Sequence, residues 1–468
     1  MECSLIVEAL EDVTLWVSLL ARLLTKIIQE GELAVTWPDG RCNTYGRGKG
    51  PSSAITLQDK ALPRKLVMNG DLALGKAYMD ETLTVSQNDL RGFVSLIVRN
   101  ANNYGGGRYG TSVTGLRKSL RRIAQYNPVH IARRNVEHHY DLSADLYELF
   151  LDQDLQYTCA YFSDPGQSIE EAQEAKKAHI AKKLLIEPGM TVMDIGCGWG
   201  GMSITLARDY GAKVVGVTLS KVQLEYAKSR AEAAGVGNMV EFRLIDYRDV
   251  NEEFDRIVVV GMMEHVGRPQ YPTFFRKLRE NLKPDGVALV HTIGRSTPPG
   301  RTSPWIHKYI FPGGYAPSMS EAMKEIEKQD LVTTDVEVWR GHYARTLQCW
   351  QEKFEANLKS IRDLYDDRFL RMWRYYLIVS EMAFSEQGLV VFQFQLSRGQ
   401  MVVPVRPKRP ERAQMGLTRN KRGANDAVTI RCALFELVRC GLCRRCPSGC
   451  LLTQHSLACA ARSSLRCS

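Results

Sequence analysis

The chain has 468 residues, of which 44% are apolar and 24% charged, with 62 Lys/Arg against 52 Asp/Glu and a formal charge of +10. That length gives room for two or three domains with sizeable cores, and no run of about 18 uncharged apolar residues marks a membrane span. Residues 404–468 alone carry 13 Lys/Arg and 3 Asp/Glu, so the excess charge sits in that segment; the balanced body gives no reason to expect nucleic acid as a partner.

From the amino end, VTLWVSLLARLLTKII (13–28) puts Leu15, Leu19, Leu20, Leu23, Leu24 and Ile27 on one helical face. Arg22 and Lys26 interrupt it, and it lacks the basic start of a signal peptide. A packed amphipathic helix and a membrane-surface helix both suit this pattern. AVTWPDGRCNTYG (34–46) sets Pro-Asp-Gly between β-prone residues and predicts strand, turn, strand. Residues 63–125 read as mostly helical, with NNYGGGRYG (102–110) as a loop. From 170 to 294 helices and strands alternate: helix 170–186, strand 191–196, helix 201–210, strand 213–220, helix 221–235, strands 240–246 and 256–263, helix 271–282 and strand 286–294. Loops and helices follow, ending in the strand-like LVVFQFQL (389–396). This predicts an α/β fold, a doubly wound and mainly parallel sheet with its ligands at the carboxyl ends of the strands. The expected division is 1–125, a smaller and mostly helical domain; 126–400, the catalytic domain; and 401–468, a basic Cys-rich tail.

MDIGCGWGG (193–201) closes the first of these strands and opens a helix. Asp194 stands at the strand end, and Gly196, Gly198 and Gly200 occupy alternate positions, where missing Cβ atoms let the backbone turn tightly against a ligand. The G-x-G-x-G spacing differs from the pyrophosphate fingerprint and from the P-loop, and points to a nucleoside-type ligand. A second feature is RIVVVGMMEHVG (256–267), an apolar run ending on Glu264 and His265.

DIGCGWGG, VTLSKVQLEYA (217–227), DYRDV (246–250) and GMMEHVG (261–267) together resemble the cyclopropane-fatty-acyl-phospholipid synthases and their relatives, the mycolic-acid cyclopropane synthases and fatty-acid C-methyltransferases. HHYDLSADLYELFL (138–151), LQYTCAYF (155–162), HTIG (291–294), WIHKYIFPGG (305–314), GHYARTL (341–347) and FLRMWRYYL (369–377) extend the likeness to both sides. LALGKAYMDE (72–81) resembles the extra amino-terminal domain of the phospholipid-acting members, so the likeness spans roughly residues 30–400.

The resemblance implies a class I methyltransferase fold that uses S-adenosylmethionine. It implies cofactor contacts from Tyr157 and Thr158, from Asp194, Gly196, Gly198 and Gly200, from Thr218, Leu219 and Gln223 at the second strand, and from Asp246 and Tyr247 at the third. Thr218 and Gln223 also suit ordinary helix capping. The implied reaction adds a methylene to the cis double bond of an unsaturated phospholipid acyl chain. The alkene takes the sulfonium methyl, a carbocation forms, and ring closure needs a proton removed from the new methyl group. Aromatic faces can stabilise the cation, with candidates in YTCAYF, at Tyr315, Tyr343 and Trp339. The base, on the resemblance, is a bicarbonate ion held by the Cys159 region, Glu264, His291, the Ile293 backbone and Tyr343. His265 is expected to face elsewhere and to be structural. Cys159 is disfavoured as a covalent nucleophile. Ser380 stands in YYLIVSEMAF (375–384) where some members carry a cysteine.

The implied setting is the cytoplasmic side of a membrane, with peripheral attachment to a phospholipid surface; a homodimer is compatible with it. Alternative activities are a C-methyltransferase leaving a methyl or methylene branch, an N-methyltransferase acting on a small amine, and a lipid-binding module with a decayed site. CGLCRRCPSGC (440–450) has the C-x2-C-x2-C-x3-C spacing of an iron–sulfur run, and seven of the twelve cysteines lie in this tail. No second cysteine run accompanies it and Leu451 replaces the usual proline, so a divergent or disordered end is expected there and no metal site.

Overall fold

The structure is a computed structural model that describes residues 2–101 and 144–404. The loop expected at 102–110, the start of the HHYDL segment and the cysteine run lie outside the described residues.

The amino-terminal part is a four-stranded sheet flanked by helices. α1 (Glu2–Ile27) is followed by β1 (Glu32–Thr36), β2 (Cys42–Gly46), β3 (Ser52–Leu57), α2 (Leu62–Met79), β4 (Leu83–Val85) and α3 (Leu90–Asn100). The Pro-Asp-Gly turn joins β1 to β2 as expected: the Gly40 N–H donates to the Trp37 carbonyl at 2.9 Å, and the Trp37 N–H to that of Arg41 at 2.8 Å. β3 runs parallel to β1, giving the order β2-β1-β3-β4. Leu33 and Val35 alternate inward on β1, as a half-buried strand requires. On α1, Leu20 is buried and Val17, Leu24 and Ile27 pack on the core, whereas Leu15 is 55% exposed.

The rest is the doubly wound sheet. α4 (Ala144–Phe150) and α5 (Ile169–Leu184) precede β5 (Thr191–Ile195), α6 (Gly201–Tyr210), β6 (Lys213–Thr218), α7 (Lys221–Ala233), β7 (Val240–Leu244) and β8 (Phe254–Val260). Then come α8 (Met263–Val266), α9 (Tyr271–Glu280), β9 (Leu282–Arg295), α10 (Pro304–Tyr309), α11 (Met319–Glu327) and β10 (Val332–Trp339). α12 (His342–Ala356), α13 (Leu358–Leu364), α14 (Asp367–Glu386) and β11 (Leu389–Ser397) complete it. The strand order is β10-β11-β9-β8-β5-β6-β7, parallel from β9 to β7, with β11 and β10 added antiparallel. α5 begins on a capping box between Ser168 and Glu171. The central strands are apolar and buried on both faces, because helices cover both.

Two departures from the expected elements matter. β8 ends at Val260, three residues early, and the chain turns at Gly261 (φ +69°) into the short helix α8, which carries Glu264. β10 was not expected as a strand: VTTDVEVW lies at the sheet edge and is mostly only partly buried, so its apolar signal is weak.

α14 joins the two sheets. Its Glu381 pairs with Arg91 at 2.8 Å, Glu386 with Arg99 at 2.8 Å, Arg368 with Asp80 at 2.7 Å and Arg371 with Glu81 at 2.9 Å.

Candidate active site

The first cavity, of about 170 Å³, opens at the carboxyl ends of β5, β6 and β7. Gly196 and Gly198 form its floor; the N–H groups of Gly196 and Cys197 both donate to the Val217 carbonyl, which folds the turn back onto β6. Gly196 and Gly200 have φ of +80° and +84°, where a side chain is strained. Asp194 lines the cavity and accepts from Ser203 Oγ at 2.7 Å, so the acid ties β5 to α6. Burial lifts its pKa to about 6. Thr218, Leu219 and Gln223 line the β6 end. The Thr218 hydroxyl donates to Gln223 Oε1 at 3.0 Å, while Ser220 caps α7 by accepting from the Gln223 N–H at 3.3 Å. Asp246 and Tyr247 line the β7 end; Asp246 is held by a two-pronged pair with Arg248, at 2.8 and 2.7 Å. Tyr157 and Thr158 close the cavity from above. Gly200 is the exception: it does not line the cavity. A Cβ there would come within 2.8 Å of Phe242 and 2.9 Å of Ala227, so its bareness serves helix–sheet packing.

The second cavity, of about 620 Å³, is mainly apolar. One end is built by Leu20, Leu24 and Ile27 of α1, Leu33 and Val35 of β1, Leu66 and Leu74 of α2, and Phe93 and Ile97 of α3. The other end holds Cys159, Glu264, His291, Ile293, Tyr315 and Tyr343. α14 contributes Tyr375, Val379, Ser380 and Phe384 to the wall. Trp339 and Tyr161, both expected as cation-facing aromatics, stand behind it: they stack with His179, His291 and His342 and are not part of the lining.

Glu264 is 8% exposed. Its Oε1 accepts from the Ile293 N–H, the group that was expected to face an ion directly. Its Oε2 is buried without a hydrogen-bond partner. Burial, only partly countered by that N–H, raises its pKa to about 7. His291 lies one strand over, on β9, where its Nδ1 meets Gln393 Nε2 at 3.1 Å; with that amide nitrogen as donor, the tautomer assigned to the ring carries its proton on Nε2. Burial, with the charges of Lys176 and Lys183, holds His291 far below its ordinary pKa, so it is neutral. Cys159 is 1% exposed and burial pushes its thiol well up, so it does not supply a thiolate.

Four residues line both cavities: Tyr157, Thr158, Gly261 and His265. The Tyr157 ring is packed edge-on against Tyr147 and Phe150, and its hydroxyl meets that of Tyr376 at 2.8 Å. At Gly261 a Cβ would lie 2.8 Å from Thr158 Cγ2, so bare backbone lets Thr158 pack against this turn where the two cavities share their lining. His265 corrects the expectation that it faces away. On an extended strand, neighbours point to opposite faces; on the helical turn of α8 they lie about 100° apart, and Glu264 and His265 both reach the site. Burial lowers the His265 pKa to about 4, leaving a neutral ring.

Residues 129–394 match the mycolic acid cyclopropane synthetase family. The chain belongs to this family. Residues 19–106 match a domain of unknown function, DUF7884. The cyclopropane-fatty-acyl-phospholipid synthase of Escherichia coli (strain K12) is 38% identical over 357 residues, covering 75% of this chain and 89% of that protein. The tuberculostearic acid methyltransferase UfaA1 of Mycobacterium tuberculosis is 35% identical over 399 residues, covering 81% and 90%. The crystal structure of mycolic acid cyclopropane synthase CmaA1 complexed with SAH and CTAB aligns with a TM-score of 0.54 at 32% identity, over 58% of this chain and 99% of that one. The fold is therefore that of the class I methyltransferases, and this family member is an S-adenosylmethionine-dependent methyltransferase. Among the described residues no helix is long and apolar enough to cross a membrane, and no group of His, Cys, Asp and Glu is placed to hold a metal.

Proposed function

We propose that the protein adds a methylene to the cis double bond of an unsaturated phospholipid acyl chain, forming a cyclopropane. One observation carries this: an apolar cavity runs from α1–α3 to Glu264 and meets the cofactor cavity at Tyr157, Thr158, Gly261 and His265. Its lining suits an acyl chain and gives a small polar amine few partners. Residues 1–125 would be the lipid-docking part, 126–400 the catalytic domain, and attachment would be peripheral, at a phospholipid surface on the cytoplasmic side.

S-adenosylmethionine supplies the electrophilic methyl group, held by Tyr157, Thr158, Asp194, Gly196, Gly198, Thr218, Leu219, Gln223, Asp246 and Tyr247. Tyr157, Tyr315 and Tyr343 turn aromatic groups toward the acyl end, where a cation develops. Glu264 Oε2, buried and unpartnered, suits a ligand oxygen that carries a proton. With neutral His291 and the Tyr343 hydroxyl as donors, the set fits bicarbonate, which when bound supplies the base. Glu264 and His291 orient that proton acceptor, and the apolar walls exclude water from the cation.

The test is mass spectrometry and proton NMR of lipids from an expressing host, wild type beside Glu264→Gln. A gain of one CH2 with a high-field ring methylene supports the proposal. A branch-methyl signal supports the second reading, C-methylation, to which the likeness to UfaA1 lends weight. No mass gain sinks both.

A further inference from the structure

Lys176 enters the chemistry above only through its charge near His291, yet it is 0% exposed. A buried ammonium is costly unless it is fully bonded. Its Nζ donates to Gln156 Oε1 at 2.6 Å and to Thr158 Oγ1 at 2.7 Å. One turn back on α5, Gln173, also 0% exposed, donates through Nε2 to the carbonyls of Gln156 at 3.1 Å and Thr158 at 3.0 Å. The next residue, Lys177, bonds Asp154 Oδ2 at 2.6 Å. Within the segment 152–158 itself, Asp152 accepts from the N–H groups of Asp154 and Gln156, both at 3.0 Å. Arg230 joins the segment to the glycine turn, donating to the Trp199 carbonyl at 2.7 Å and to Asp154.

Residues 152–158 contain no helix or strand, yet four of them, Leu155 to Thr158, line the cofactor cavity. Such a segment would ordinarily be among the less ordered parts of a protein. Here α5 reaches under it and takes up both its side-chain and its main-chain acceptors on either side of Tyr157. We infer that Lys176, seconded by Gln173, is a positioning residue: it holds the strap Leu155–Thr158 at the height that closes the cofactor cavity and sets Tyr157 between the two ligands. The asymmetry of contacts supports this over a purely structural role, because both Lys176 bonds go to side chains that themselves line the cofactor cavity. Truncating the lysine would leave Gln156 Oε1 and Thr158 Oγ1 without the donor they now have, and the strap would relax to recover one from water.

The inference rests on this cavity holding S-adenosylmethionine, and S-adenosylhomocysteine binding by the full-length wild type tests that first. In Lys176→Met, which keeps length and removes donors, the Kd for S-adenosylhomocysteine by calorimetry and the KM for S-adenosylmethionine should rise about tenfold, or about 1.4 kcal/mol. kcat should fall less. Gln156→Met removes one acceptor from the other side and should give a smaller rise; the double variant Lys176→Met/Gln156→Met should be no worse than Lys176→Met alone, the non-additivity of a shared bond. Lower thermal stability with unchanged Kd and KM would overturn the inference, and so would additive effects in the double variant. Should Lys176→Met not fold, Gln156→Met and Thr158→Val decide it: unchanged Kd in both rejects the positioning role. Wild type that binds no S-adenosylhomocysteine rejects instead the cofactor assignment beneath it.

Discussion

The two cavities are built in opposite ways. The first cavity, assigned above to the cofactor, is made mostly from short pieces near strand ends, within 194–202, 217–219 with Gln223, 245–248 and 260–266, closed by one strap. Its shape is written into the backbone: three positive-φ glycines and a set of caps within a few residues of one another. The larger cavity, assigned above to the acyl chain, takes side chains from α1, β1, α2, α3, β9, α10, α12 and α14, whose residues lie up to several hundred positions apart. It exists only once the four-stranded sheet and α14 have docked. Local geometry therefore shapes the first cavity, and tertiary assembly shapes the second.

The sharpest division between the two comes from Glu264→Gln. Turnover should drop by about 10²–10⁴-fold, the range for loss of a positioned proton-handling group, while S-adenosylhomocysteine affinity stays within about twofold of wild type. A comparable loss of affinity would show that the two cavities are not separable. Next in size, Leu24→Asp puts a charge in the acyl wall, a placement costly in an apolar site. Lipid turnover should fall by at least about tenfold in vesicle assays, again with cofactor binding intact. The converse is Gly196→Ala. At φ +80°, with Cβ 2.9 Å from Met262 Cγ, it should cost about 1–2 kcal/mol in conformation alone, and a loss of that size would weaken S-adenosylhomocysteine binding by about 5- to 30-fold.

A fourth prediction concerns pH. The Glu264 carboxyl has its pKa raised from 4.5 to about 7 by burial, so folding favours its neutral form. Between those values the unfolded chain holds fewer protons than the folded one, and stability falls as pH rises. The penalty is absent below about 4.5, grows up to about 7 and then levels near 3 kcal/mol, an order-of-magnitude figure. Glu264→Gln should accordingly melt higher than wild type at pH 8, with a margin that shrinks toward pH 5. The smallest effect is expected at Ser380, which lines the larger cavity: Ser380→Ala should keep turnover within about twofold, a surface-like change in a wall that needs only bulk.

The same contrast explains what was legible in the sequence. Asp194, Gly196, Thr218, Gln223 and Asp246 line the first cavity together, and could be placed there because strand, turn and cap signals are short-range and fix where those residues end. Gly200 belonged to the pattern but serves Phe242 and Ala227, partners a turn motif does not name. Glu264 lines the second cavity as expected and His265, expected to face elsewhere, lines it too, for a single reason: the change from β8 to α8 at Gly261 replaces alternation by a 100° step, and an apolar run carries no mark of that change. Trp339 was taken for a cavity aromatic, yet β10 sets it behind His291, a placement that depends on an edge strand with little periodicity of its own. The acyl wall of Leu20, Leu66 and Ile97 left no signal beyond ordinary core residues, because nothing in their neighbourhoods distinguishes a side chain that meets another from one that meets a ligand.

Gly261 has a consequence for both cavities at once. A Cβ added there would lie 2.8 Å from Thr158 Cγ2, closer than two carbons can pack, and both residues line both cavities. A single methyl group at this residue would therefore have to displace Thr158, and the walls of the two cavities would shift together.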